Sequence, residues 1–402
     1  MKYIVVLGDG MADYPLEELN GKTPLQYADT PNMDRLAEQG EVGLVKTVPD
    51  NMPAGSDVAN LSVLGYDPQK YYTGRSPLEA VAMGIDLSEE DVAFRCNLVT
   101  LSEEEPFENK RMMDHSADEI STEEAAELIK EISQKLENKS FIFYPGMSYR
   151  HLLVWRNADP QYNITLIPPH DISGQVIGNY LPRGNNGDTI LNFMVSSSTF
   201  LPHHPVNIKR QNQGRKPANS IWIWGEGRKP RLDSFKDKYS LQGAVVSAVD
   251  LVKGIGLCAG LNVVEVPGAT GNIQTNFKGK ASHALKELQR GTDFIFIHIE
   301  APDEAGHRGE VSVKIKAIEE IDKKVLGELL PGLNSMGDYR LMLLTDHPTP
   351  ISVRTHTHDP VPFCIFDSKT PTGNSSKQFN EREGVEGSFF DRGSDLMEHF
   401  LS

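Results

Sequence analysis

The sequence predicts an α/β protein in which a mostly parallel sheet, flanked by helices, is interrupted by a smaller inserted α/β domain. Three observations carry this expectation. Six short apolar runs, Tyr3–Leu7, Ile221–Trp224, Asn262–Val266, Phe294–Ile299, Leu341–Thr345 and Phe363–Phe366, read as strands buried on both faces of a parallel sheet. Helical segments with start and stop signals separate many of them. The pattern lapses from about residue 77 to 214, where charge runs, Pro-His elements and polar clusters take over, and resumes after Pro217. The expected organisation is therefore a first domain of residues 1–76 plus 215–402, with residues 77–214 inserted.

Each element has a local reason. Tyr3–Leu7 is a first buried strand, ended by Gly8-Asp9-Gly10. A helix is expected over Pro31–Gln39, with Thr30 at the N-cap, Pro31 in the first turn and Gly40 past the end. Ser56 stands where a helix through Val58–Leu64 would begin. Ser121-Thr122-Glu123-Glu124 is a capping box that opens a helix to about Glu137. Asn185-Asn186-Gly187, Ser196–Ser198 and Gln211–Lys216 read as loops. Lys280–Arg290 is a helix closed by Gly291, and Val311–Leu330 a long amphipathic helix stopped by Pro331-Gly332.

Composition narrows the class. Of 402 residues, 39% are apolar and 24% charged, which is globular rather than disordered. A chain of this length buries a large core without disulfides. Its three cysteines, Cys96, Cys258 and Cys364, form no CxxC pair, and reduced thiols in the cytoplasm are expected. A formal net charge of −16 argues against nucleic acid or an anionic membrane as a partner. It leaves room for a small phosphorylated substrate in a cleft whose local field is reversed by metals or a few cations. The first apolar run is too short for a signal peptide or a membrane span. Nothing in the sequence fixes an oligomeric state.

The chemistry lies in where carboxylates and imidazoles fall. In parallel α/β sheets ligands bind at the carboxyl ends of the strands. Asp9 follows the first strand; Ser56 and Asp57 lie in Pro53-Ala54-Gly55-Ser56-Asp57; Asp303 and His307 follow Phe294–Ile299 at a spacing of one helical turn; Asp346 and His347 end Leu341–Thr345; His356 and His358 follow in Arg354-Thr355-His356-Thr357-His358. Taken singly, each fragment reads as a turn or a loop pair. Together the oxygen and imidazole ligands suit two divalent ions. A metal on a serine oxygen makes the alkoxide accessible, and Gly55 before Ser56 allows close approach of the backbone to a phosphate. Ser56 is thus the candidate nucleophile, compatible with a role as a helix cap. A metal-stabilised binding protein remains a different reading, in which the ligands hold closed sites with no exposed nucleophile.

The order Asp-Gly near the start, Gly-Ser-Asp, Asp303 to His307, Thr345-Asp346-His347 and the His356 to Pro362 stretch resembles the alkaline phosphatase superfamily. More closely, the chain resembles the archaeal-type branch of cofactor-independent phosphoglycerate mutase. Asn20–Leu25, Leu64–Pro68, Tyr72–Arg75, Phe94–Asn97 and Tyr149–His151 match that branch as well, so the resemblance spans essentially the whole chain. It implies an alkaline-phosphatase-like domain split by a substrate domain that closes to exclude water. It implies interconversion of 3-phosphoglycerate and 2-phosphoglycerate, a glycolytic isomerase reaction, through a phosphoserine and without 2,3-bisphosphoglycerate. It also implies two divalent ions, manganese, zinc or magnesium: one on Asp9, Ser56, Asp346 and His347, the other on Asp303, His307 and His356, with His358 replacing a small hydroxyl residue of the family pattern. A closing lobe needs cations for carboxylate and phosphate. Arg95, Arg150, His151, His170 and Asp171 are candidates from the insertion, Arg75 and Lys253 from the main domain. Asp9–Leu19 and Met52–Asn60 also lean toward a bacterial subgroup proposed to phosphorylate homoserine, which is the alternative activity for the same site; a plain metal-dependent phosphatase is a further one. The chain has no Walker-type Gly-x4-Gly-Lys-Ser/Thr loop.

Overall fold

The computed structural model describes residues 1–372 and 377–402. The chain divides into two units, Met1–Tyr72 with Arg231–Ser402, and Thr73–Pro230.

The first unit is built on an eight-stranded sheet in the order Asn262–Val263, Gly243–Val246, Phe294–Ile299, Lys2–Gly8, Tyr339–Leu344, Val361–Asp367, Glu41–Val45, Ser388–Phe390. All neighbours pair in parallel except on the two sides of Val361–Asp367, which runs against the rest. The expected strand at 363–366 thus forms, but antiparallel. Helices cover both faces, so the central strands are apolar without alternation: Ile4 to Leu7, Phe294 to Ile297 and Leu341 to Leu344 are all fully buried. Each such Ile, Leu or Phe contributes about 1.5–3 kcal/mol of burial. The register pairs Leu7 with both His298 and Leu344. Three neighbouring strands therefore end level, and the residues that follow them, Asp9, Glu300 and Asp346, emerge at one edge.

The second unit carries an antiparallel sheet around its longest strand, Val92–Leu101, which pairs with Met112–Asp114, Arg150–Trp155 and Ser220–Gly227. Ile221–Trp224 is a strand as expected, but it belongs to this sheet rather than to the parallel one. Its N-terminal half, Ser220 to Ile223, is buried throughout, with Ile221, Trp222 and Ile223 in the core of the second unit. Polarity and loop content around residues 196–216 drew the expected boundary too early; Ser196–Ser198 in fact lies within the helix Gly187–Phe200.

Two helices depart from their sequence signals in connected ways. Pro31–Gln39 forms, but Thr30 makes no side-chain cap. Its unsatisfied N–H groups at Asn32 and Met33 donate instead to the Asp322 carboxylate, at 2.9 and 2.8 Å. Asp322 sits in a π-helical stretch, Ile321–Leu326, between Val311–Glu320 and Gly327–Met336. The long helix is therefore not stopped by Pro331-Gly332: it widens before Pro331 and continues to Met336, a local adjustment of the kind that accommodates an internal proline. No helix among the described residues is long and apolar enough to cross a membrane.

Candidate active site

The level strand ends of the first unit bring together most of the residues singled out in the sequence. Asp9 leaves the strand Lys2–Gly8 and is 1% exposed. Gly10 after it has φ +63, and a Cβ there would lie 2.7 Å from Thr349 Oγ1 and 2.8 Å from Asp303 Cα. Only glycine lets this turn press against the opposite loops. Ser56 opens the helix Ser56–Val63 and is partly exposed. Its hydroxyl donates to His347 Nε2 at 3.0 Å. Gly55 is extended at φ −177, so its value is lack of bulk rather than an unusual backbone: a Cβ would meet Asp57 Oδ1 at 2.7 Å.

Around Ser56 the candidate ligands fall into two overlapping groups. His347 Nε2 lies 3.6 Å from Asp9 Oδ1 and 3.4 Å from Asp346 Oδ2. Asp303 Oδ2 lies 3.3 Å from His307 Nε2, Asp303 Oδ1 lies 3.4 Å from His356 Nε2, and the two imidazole Nε2 atoms are 3.0 Å apart. His358 does not join them; it is exposed and donates to the Met52 carbonyl at 2.8 Å. His356 is thus the imidazole at the centre.

The donor set tests well for divalent cations. In each of the three histidines the far nitrogen is occupied: Nδ1 of His307 donates to the Arg354 carbonyl at 3.0 Å, and Nδ1 of His356 to the Ala54 carbonyl at 3.3 Å. His347 Nδ1 donates to Thr349 Oγ1 at 3.3 Å, and the Thr349 hydroxyl donates in turn to Asp303 Oδ1 at 2.5 Å. With Nδ1 so engaged, each Nε2 faces inward, where it would be offered to a cation once free of its proton, the arrangement metal-binding histidines use. Asp9 Oδ1 is buried without a hydrogen-bond partner, an unmet demand that a cation would satisfy. Burial, then repulsion from Asp346, Asp303 and Glu300, pushes the Asp9 carboxyl well above its ordinary range. Burial also works to raise Asp303, but hydrogen bonds from His307 and His356 hold it well below. The bond to Asp303 raises His307 to about 9.

Four participants escaped the sequence reading. Asn60, one turn after Ser56, donates to the Ser56 carbonyl at 2.8 Å and to Asp346 Oδ2 at 3.0 Å. Thr349 links His347 to Asp303. His298, fully buried within a strand, reaches Asp9 Oδ2 through Nε2 at 3.0 Å. Lys280, also fully buried, donates to the His298 carbonyl at 2.8 Å, and burial lowers it to about 8. The i, i+4 spacing of Ser56 and Asn60 was the one available signal.

Of the residues expected to bind substrate, Arg75, Arg95, Arg150 and His170 lie near one another in the second unit, while His151 and Lys253 stand apart. In the second unit, Arg95 grips Glu79 at 2.8 and 2.6 Å and stacks on Trp224, and Arg75 meets the same carboxylate at 2.9 Å. Arg75 therefore belongs to the inserted unit, not to the main domain. His170 packs edge-on to Trp224, with Asp171 beside it at 3.5 Å. Arg150 is exposed over Tyr149. His151 is a correction. Strand alternation turns it inward, where it is 2% exposed and its Nδ1 accepts the Gly146 N–H at 3.0 Å; burial lowers it to about 3. It is a core histidine that holds the turn before its strand. Lys253, in the first unit, pairs with Glu265 at 3.2 Å and is close enough to Lys280 to repel it.

Residues 37–207 match the family model described as 2,3-bisphosphoglycerate-independent phosphoglycerate mutase. A protein of Geobacter sulfurreducens named as a probable member is 50% identical over 100% of both chains. The Methanosarcina barkeri mutase is 49% identical, covering 99% of this chain and 98% of its own. Among solved structures, a Pyrococcus horikoshii protein is 31% identical with a TM-score of 0.84, covering 100% of this chain and 96% of its own. The cofactor-independent phosphoglycerate mutase of Thermoplasma acidophilum is 27% identical with a TM-score of 0.67, covering 100% and 99%.

Proposed function

Since the chain belongs to the 2,3-bisphosphoglycerate-independent phosphoglycerate mutases, we propose that it interconverts 3-phosphoglycerate and 2-phosphoglycerate by two phosphoryl transfers through Ser56. The observation that carries the reading is the position of Ser56. Its hydroxyl is reachable, stands at a helix N-terminus that favours an anion, and points at His347 inside the carboxylate and imidazole cluster. In the first transfer Ser56 Oγ gives up its proton and the Oγ–P bond forms as the bond from O3 of glycerate to phosphorus breaks, with O3 taking up a proton. In the second, the O2 hydroxyl gives up its proton, the O2–P bond forms, and Ser56 Oγ leaves and regains a proton.

Asp9, Ser56, Asp346 and His347 would hold one divalent ion, and Asp303, His307 and His356 another, of manganese, zinc or magnesium. Such ions supply charge stabilisation for a serine alkoxide and for the phosphoryl oxygens. Asn60 holds the Ser56 carbonyl and Asp346 in register. Within the second unit Arg75, Arg95, Arg150 and His170 lie near one another, a set whose charge suits the substrate's carboxylate and phosphate, with Asp171 beside His170 for the hydroxyls; Lys253 is a separate candidate within the first unit. The substrate is small and phosphorylated, and two buried thiols, Cys96 and Cys364, fit a reducing cytoplasm. The test is turnover of 3-phosphoglycerate with Mn2+ and with neither 2,3-bisphosphoglycerate nor nucleotide. Wild-type turnover that Ser56→Ala abolishes is the expected result; Ser56→Ala with full activity would sink the reading.

A further inference from the structure

Lys314 is fully buried, as is the carboxylate it pairs with, and the reaction makes no direct use of it. Its ammonium donates to three acceptors: Asp13 Oδ2 at 2.6 Å, the Thr349 carbonyl at 2.9 Å and the Ala12 carbonyl at 3.2 Å. That uses every proton the group has. Ala12 and Asp13 belong to the loop that begins with Asp9. Thr349 belongs to the loop between His347 and His356, and its hydroxyl orders Asp303. Lys314 itself stands on the helix Val311–Glu320, directly after the helix that carries Asp303 and His307. Asp13 completes the tie by accepting the Ile351 N–H at 3.1 Å, while its own N–H donates to Glu381 at 3.1 Å.

We propose that Lys314 is a positioning residue for the cation-binding centre: one buried ammonium ties together three of the four segments whose side chains would hold the ions, all but that of Ser56. Burying an ammonium is costly unless it is fully bonded, so its place here is explained by what it joins. A ligand set gains affinity when its spacing is fixed before the ion arrives. The proposal rests on the two-ion reading above.

The test uses metal-free full-length protein, wild type and Lys314→Met, titrated with Mn2+ by calorimetry. Circular dichroism checks folding, and the Mn2+ dependence of mutase turnover is measured in parallel. Lys314→Met should bind Mn2+ about tenfold or more weakly. The Mn2+ needed for half-maximal turnover should rise in step, with kcat at saturating Mn2+ kept within about threefold. A merely structural lysine would lower the melting temperature and leave the Mn2+ affinity of the folded protein unchanged, and that result overturns the proposal. If Lys314→Met does not fold, Lys314→Met with Asp13→Asn removes both charges and leaves neither unpaired. Wild-type affinity in that double variant overturns the proposal; a comparable loss supports it. Wild-type protein that binds no Mn2+ defeats the two-ion reading itself, a result distinct from a variant that binds as well as wild type.

Discussion

His298 is the sharpest place to perturb the site without touching a proposed ligand. The change is His298→Phe, which keeps an aromatic ring in a fully buried slot of the central sheet. It removes the Nε2–H bond to Asp9 Oδ2 at 3.0 Å and the acceptor for Ser247 Oγ at 3.3 Å. The second is a long, neutral bond and the smaller loss, while Ser247 Oγ keeps the Val249 N–H it accepts. The first is a charge-assisted bond, worth about 1.5–3 kcal/mol. At about 1.4 kcal/mol per tenfold, Mn2+ should bind about 10- to 100-fold more weakly at the Asp9 position. Burial lowers the imidazole to about 3, so His298 itself stays neutral across the working pH range. Calorimetric titration of metal-free protein is the assay, with His298→Gln alongside because its amide N–H can stand near Nε2. Weak binding in Phe with recovery in Gln is the expected pattern. Equal Mn2+ affinity in wild type and His298→Phe would refute the reasoning, because Asp9 would then need no orienting partner.

Two further predictions concern stability. His151 is buried with its pKa lowered to about 3, while the unfolded chain takes up that proton near 6.5. Unfolded protein therefore binds more protons between those values, and stability falls as pH drops below 6.5. From pH 7 to pH 5 this one group should remove about 2 kcal/mol; urea unfolding of His151→Asn, whose Oδ1 can still accept the Gly146 N–H, should show a pH dependence flatter by that amount. Arg210 is fully buried, and donates to Glu124 at 2.5 Å, the Ala117 carbonyl at 2.6 Å and the Lys216 carbonyl at 2.9 Å. Arg210→Met leaves the two carbonyls unmet and Glu124 with only Arg215 at 3.5 Å, and should cost about 3–5 kcal/mol in urea unfolding; a cost below about 1 kcal/mol would show that water replaces the guanidinium.

What the sequence made legible was local or periodic. Uninterrupted apolar runs exposed the parallel strands, and the carboxylates and histidines just past them exposed the centre, because strand ends gather ligands whatever the loops do. The direction of Val361–Asp367 was not legible, since an antiparallel strand buried on both faces has the same composition as a parallel one. Strand membership at Ile221–Trp224 failed for the same reason: apolar content does not say which sheet a strand joins. His298 and Lys280 stayed hidden because each looks like a stray polar residue in an apolar segment, and only the register Leu7 to His298 places the imidazole against Asp9. Thr30 looked like a cap because the true cap, Asp322, is remote in sequence. His151 was misread because a polar residue beside Arg150 suggested a binding face, whereas alternation along a strand sends neighbours to opposite sides.

The central claim is that Ser56 carries the phosphoryl group between the two hydroxyls of glycerate. The most direct measurement is acid quench of the Mn2+-loaded protein during turnover of 3-phosphoglycerate, followed by peptide mass spectrometry. One phosphoryl group on the peptide containing Ser56, absent from Ser56→Ala, is the predicted result. Turnover with phosphate on another residue, or with none on the protein, would contradict the account.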